Sequence, residues 1–163
     1  MKRFVVIGLG RFGRRLAREL TEAGHEIIAI DTREALVERV RDEVALAVCL
    51  DATEPEALKS QGVDKVDAAV VAIGEDFEAN ALATATLKSL GVGRVISRAS
   101  SDIQRRILDR IGADQVIFPE EEMAVRLAYK KALILEIIDN LPGHLLWRSF
   151  NKIATLLLDS TTR

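Results

Sequence analysis

Short aliphatic runs alternate with longer amphipathic segments along this chain. The runs fall at residues 4–7, 27–30, 46–50, 68–73, 95–97 and 116–118. Each is nearly continuous in apolar residues rather than alternating, the pattern of a parallel strand covered on both faces. The segments between them carry helical periodicity. Phe12, Leu16, Ala17, Leu20 and Ala23 share one face of the first, with Arg14, Arg15 and Arg18 opposite. A second helix is predicted over 33–42, with Leu36, Val37 and Val40 inward. A short third follows over 54–61, with Thr53 as N-cap, Pro55 in its first turn and Gly62 as its stop. An Ala-rich fourth covers 76–90, and a fifth covers 101–111 with Ser101 or Ser100 as cap. Gly24, Gly91 and Gly112 end the first, fourth and fifth.

Six strands joined by five helices with right-handed crossovers specify an α/β fold, a doubly wound parallel sheet in the order 3-2-1-4-5-6. A five-stranded flavodoxin-like sheet is the competing topology. The 45 residues after Phe118 behave differently. One helix pattern runs from Glu120 to Ile138, Leu141-Pro142-Gly143 breaks it, and another runs from Leu145 to Leu158. No strand remains for these helices to cover, and apolar surface of this extent is rarely left in water. The reading is a nucleotide-binding domain over 1–118 and partner-binding helices over 119–163.

The chemistry concentrates in Ile7-Gly8-Leu9-Gly10-Arg11-Phe12-Gly13. Here a G-x-G-x-x-G pattern leaves a strand and opens a helix, the context that makes it a Rossmann dinucleotide fingerprint. Gly8 permits the tight turn, Gly10 lets a diphosphate approach the backbone, and Gly13 lets helix and strand pack closely. The free N–H groups and the dipole of the helix start hold the anion. Arg11 adds a cation where the helix terminus is already positive, a placement that an anion would justify. Asp31 follows Gly8 by 23 residues and ends the second strand, the position of the carboxylate that accepts from ribose hydroxyls. Thr32 and Arg33 flank it. Asp31 disfavours a 2′-phosphate, so NAD(H) or an adenosine nucleotide is expected over NADP. Asp51-Ala52-Thr53 and Ala72-Ile73-Gly74 end the third and fourth strands at the same edge, with Asp51 placed for an adenine amino group. Arg98 ends the fifth strand and can reach a phosphate.

Composition narrows the function. The chain has 163 residues, 48% hydrophobic and 29% charged, so it can build a core and a soluble surface. A net charge of −2 argues against nucleic-acid binding by bulk positive charge. Cys49 is the only cysteine and His25 and His144 the only histidines, which leaves little for metal or triad chemistry. The N-terminus lacks signal-peptide form and no segment is long and apolar enough to span a bilayer, so a cytoplasmic, non-enzymatic domain is expected. The alternatives are a dinucleotide-binding fragment of an NAD-dependent oxidoreductase and a redox-responsive interaction module.

These residues resemble the regulator-of-potassium-conductance family, also called KTN or TrkA N-terminal domains. The likeness covers roughly residues 1–140. It rests on Gly10-Arg11-Phe12-Gly13, on Gly24-His25-Glu26 leading to Ile30-Asp31, and on Asp51-Ala52-Thr53. It continues through Val71-Ala72-Ile73-Gly74 and Ile111-Gly112-Ala113-Asp114 to Phe118-Pro119-Glu120. Leu50 departs from it, standing where many relatives have glycine. The resemblance implies a cytosolic regulatory subunit or domain of a potassium channel or transporter, peripheral to the inner membrane face through a membrane-embedded partner. It implies NAD(H), ATP or ADP in the pocket, and gating by the shape change that ligand exchange produces. It further implies a homodimer that exchanges the helix after the sixth strand, and dimers assembled into rings. By position, Arg11 matches a loop arginine that reaches nucleotide phosphates, and Glu120 a glutamate linked to cation binding near the dimer interface.

Overall fold

Six parallel strands form one sheet in the order β3-β2-β1-β4-β5-β6. In chain order they are β1 (Arg3–Ile7), β2 (Glu26–Asp31), β3 (Leu46–Cys49), β4 (Ala68–Val71), β5 (Val95–Arg98) and β6 (Gln115–Ile117). The helices between them are α1 (Arg11–Glu22), α2 (Glu34–Glu38), α3 (Pro55–Ser60), α4 (Phe77–Ser89) and α5 (Asp102–Ile111), and α6 (Pro119–Asp139) follows β6. This computed structural model describes residues 1–139. The helix expected over 145–158 lies outside the described residues. The strand order is the one expected, and the flavodoxin-like alternative is set aside.

Strand geometry explains the continuous apolar runs. Along β1, Val5 and Ile7 enter one core layer and Val6 the other. Along β2, Ile28 and Ile30 divide from Ile27 and Ala29 in the same way. One layer is closed by Leu58 of α3 and by Ala83 and Leu87 of α4. The other is closed by Ala17 of α1 and Val37 of α2. Burying an aliphatic side chain of this size contributes about 1.5–3 kcal/mol, and both faces of the central strands share in it. The edge strands are less covered than the sequence pattern implies. Leu46 of β3 is exposed, as is Gln115 of β6, because each edge has a neighbour on one side only.

Two local expectations are corrected. The second helix stops at Glu38 instead of Asp42. Beyond it Val40, Arg41 and Glu43 donate to the carbonyls of Val37, Glu38 and Val40, so the chain turns through i→i+3 bonds toward β3. The apolar spacing that ends in Val40 is common to both kinds of turn. Thr53 does not cap α3. Glu54 holds the N-cap position, Pro55 is the first helical residue, and the Thr53 hydroxyl donates to Asp51 instead. At α4 and α5 the caps are Asp76 and Ser101, which accept from the backbone N–H groups of Ala79 and Gln104.

The Gly112-Ala113-Asp114 element is structural. Gly112 ends α5 with φ +107°. Asp114 accepts from the Val95 N–H at 2.7 Å and from Lys88 Nζ at 3.0 Å, which fixes the start of β5 against β6. Those two donors, the backbone one foremost, hold its carboxyl below the usual carboxylate range.

The chain divides into two compact units, Met1–Pro119 and Glu120–Arg163. In the second, Glu120, Glu121 and Glu122 occupy the first turn of α6, where the helix dipole favours negative charge. Met123, Val125, Leu127, Tyr129 and Leu135 of α6 are exposed. Among the described residues no helix is long and apolar enough to cross a membrane.

Candidate functional site

The carboxyl edge of the sheet gathers the predicted residues around the β1–α1 turn. Gly8 has φ +94°, and a Cβ there would lie 2.8 Å from the Ile73 backbone nitrogen. Conformation and space both demand glycine. Its N–H donates to the Ile30 carbonyl at 2.8 Å, and the Ala72 N–H donates to the Ile7 carbonyl at 2.7 Å. The turn is thereby tied to the ends of β2 and β4. A Cβ on Gly13 would fall far inside van der Waals contact with the Gly8 carbonyl oxygen, and 3.1 Å from the Ala72 Cβ. Gly10 is the opposite case, since a Cβ there would meet nothing within 4 Å.

Gly10 is the N-cap of α1, and no side chain bonds the free amides of this terminus. No acidic residue stands in the first turn. Every other helix of the sheet domain either has a side-chain cap or carries an acidic residue in its first turn. Arg11 is exposed beside the free amides. The donors, the dipole, the cation and the open space at Gly10 together fit a bound diphosphate.

Asp31 does more than sequence spacing suggests. It is 6% exposed, so its carboxylate is costly to leave unsatisfied. Its Oδ2 accepts from the Leu9 N–H at 2.7 Å. Its Oδ1 accepts from the Arg33 N–H at 2.8 Å and lies 3.3 Å from Arg33 Nε. Asp31 therefore braces the glycine turn from the end of β2. A carboxylate offers about four acceptor sites, so Oδ2 retains a lone pair for a sugar hydroxyl.

Other candidates divide by what they expose. Leu9 is engaged inward, its side chain in the core and its amide on Asp31. Ala52 and Ala72 are likewise buried, and Ile73 packs against the core. Asp51 is exposed at the end of β3, and its Oδ1 accepts from the Thr53 N–H at 2.9 Å and the Thr53 hydroxyl at 2.7 Å. These bonds, the backbone one first, hold its carboxyl below the ordinary range, so it is ionised at neutral pH. Thr32 is exposed, and its carbonyl accepts from the Cys49 thiol at 3.3 Å. The neighbouring Glu34 and desolvation push that thiol up, away from the reactive thiolate. On the far side of the turn, the Arg98 guanidinium lies over Gly74 and 5.8 Å from the centre of the Phe12 ring. No cluster of three or more His, Cys, Asp or Glu side chains suited to a metal ion occurs among the described residues.

Asn80 belongs to this edge and sequence reasoning missed it. It is 1% exposed, and its Nδ2 donates to the carbonyls of Ile73 at 2.8 Å and Arg98 at 3.0 Å. One amide thus joins the ends of β4 and β5. Thr84 donates to the Asn80 carbonyl and meets the Ser97 hydroxyl at 2.8 Å, which satisfies the buried network beneath. The available signal was the pair Asn80 and Thr84, polar at i,i+4 on the same inward stripe as Ala83 and Leu87.

The chain is 41% identical over 128 residues to the Ktr system potassium uptake protein C of Bacillus subtilis, covering 78% of this chain. It spans 58% of that relative's length. The fold is also that of the NAD(P)-binding domain of an exopolyphosphatase-related protein from Archaeoglobus fulgidus. That likeness has a TM-score of 0.69 and 29% identity over 82% of this chain and 98% of the other. The GsuK structure bound to ADP matches with a TM-score of 0.66 and 27% identity, over 78% of this chain and 33% of that one. The TrkA-N domain model matches residues 4–119. That stretch holds all of the sheet but its first residue, together with the glycine turn, and the chain belongs to the TrkA-N domain family.

Proposed function

We propose that this chain is a nucleotide-sensing regulatory domain of a potassium channel or transporter, taking NAD(H), ATP or ADP at the β1–α1 turn. The observation that carries the reading is the start of α1, free of side-chain caps and acidic residues and open above Gly10. The diphosphate sits on the amides of 11–13, with Arg11 beside it. The ribose donates to Asp31, and Asp51 with Thr53 borders the adenine. Gly74 and Arg98 bound the opposite side. The domain binds its nucleotide without transforming it.

The potassium assignment is supported by the 41% identity to a potassium uptake protein. On this reading the domain acts at the cytoplasmic face through a membrane-embedded partner. The exposed apolar side chains of α6 support a homodimer formed through the C-terminal helices, from which rings can be built. Glu120 is the proposed interfacial cation ligand.

Calorimetric titration of the 163-residue chain with ADP, ATP and NADH tests the site. Saturable binding is expected. Arg11→Ala should weaken ADP about tenfold, the value of one charge-assisted contact, and leave adenosine unchanged. Equal losses for ADP and adenosine would remove Arg11 from the phosphate site.

A further inference from the structure

One buried side-chain amide is wholly committed to the backbone of two site loops. Asn80, near the start of α4, is 1% exposed. Its Nδ2 donates to the Ile73 carbonyl at 2.8 Å and to the Arg98 carbonyl at 3.0 Å. Carbonyls only accept, so the amide nitrogen must face them, and both of its hydrogens are used. No donor is left for a ligand, and burial keeps the side chain from reaching one.

Both acceptors lie just beyond the β4–β5 ladder, which ends at the pair Val71 and Ser97. The amide spans the two chains there in place of a further ladder bond. On its other side the 72–73 segment lies against the glycine turn. A Cβ on Gly8 would lie 2.8 Å from the Ile73 nitrogen and 3.0 Å from the Ala72 carbonyl carbon, so backbone meets backbone. The strands involved, β1 and β4, are neighbours in the sheet at the point where the strand order reverses. That crevice is where this architecture takes its ligands. Asn80 therefore fixes Ile73, and Ile73 backs the turn that leads into the uncapped amides of α1.

We propose that Asn80 is a positioning residue of the nucleotide site, acting on the glycine turn through the Ile73 backbone. Without its amide, two carbonyls shielded from water lose a donor, and the 72–74 segment moves to find another. The turn then loses its backing, and the amides of 11–13 lose their common aim at a diphosphate. The nucleoside side, at Asp31 and Asp51, keeps its contacts. This inference rests on the nucleotide reading above.

Asn80→Leu removes both donors at similar volume, and Asn80→Ala removes them while leaving room for water. Ser97→Ala is the control, since it takes a hydroxyl from the same buried network, 2.8 Å from the Thr84 hydroxyl, and leaves both carbonyls bonded. Each variant is titrated with ADP and with adenosine well below its melting temperature. Both Asn80 variants should weaken ADP by about tenfold and leave adenosine within about twofold. Ser97→Ala should melt lower than the wild type and keep its ratio of ADP to adenosine affinity. An unchanged ratio in the Asn80 variants, or an equal fall in Ser97→Ala, overturns the assignment while the nucleotide site stands. The wild type supplies a measurement that needs no substitution. By NMR its Asn80 side-chain amide protons should exchange slowly with solvent, with and without ADP, and fast exchange in either state overturns the assignment too. Failure of the wild type to bind ADP overturns the site reading itself.

Discussion

Gly10→Asp is expected to make the protein more stable and to destroy nucleotide binding. Gly10 has φ −64° and ψ −170°, a conformation open to any residue, and space for a side chain. An Asp at this N-cap would accept from the free amides of the first turn and oppose the positive end of the helix dipole. Fewer accessible conformations in the unfolded chain add to the gain. Together these contribute about 1 kcal/mol, a rise of roughly 2–4 °C in Tm. The same carboxylate would occupy the donors meant for the diphosphate and repel it at short range. A loss of about a hundredfold or more for ADP follows, the value of two charge-assisted bonds. Thermal melting and calorimetry on the same preparation check both signs. Undiminished ADP binding in a stabilised variant would detach the ligand from this helix terminus.

Gly13→Ala is expected to go the other way. Helix propensity alone favours Ala over Gly by about 1 kcal/mol in a helix interior. Here the added methyl would penetrate the Gly8 carbonyl oxygen, which is backbone and cannot swing aside. The turn must open or α1 must lift from the sheet, and Ala72 obstructs a small adjustment at 3.1 Å. A net loss of about 3 kcal/mol or more is expected, read as a lower urea midpoint at unchanged slope. Stability equal to or above the wild type would mean that helix and strand are not packed as closely as described.

The sheet was legible because its central strands are buried on both faces, and burial leaves an unbroken aliphatic run. Helix ends were legible where glycine takes a positive φ, at Gly24, Gly62, Gly91 and Gly112. The end of α2 was not, because Leu36, Val37 and Val40 suit an α-helix and an i→i+3 turn equally. Within the site, the glycine spacing and the placement of Asp31 identified the loop. The brace from Asp31 to the Leu9 amide was hidden, since local spacing carries no record of which amide a carboxylate meets across the sheet. Arg98 and Gly74 lie on neighbouring strand ends, and only the strand order brings them together. Asn80 stood in view as a polar residue on a buried stripe, but its two acceptors lie at the ends of β4 and β5, and the periodicity of its own helix carries no record of them.

The most direct measurement is a crystal structure of this chain grown with ADP. Diphosphate oxygens are expected to accept from the backbone N–H groups of residues 11–13, and a ribose hydroxyl to donate to Asp31. ADP seated away from the start of α1, or a diphosphate that leaves those amides to solvent, would contradict the proposed site.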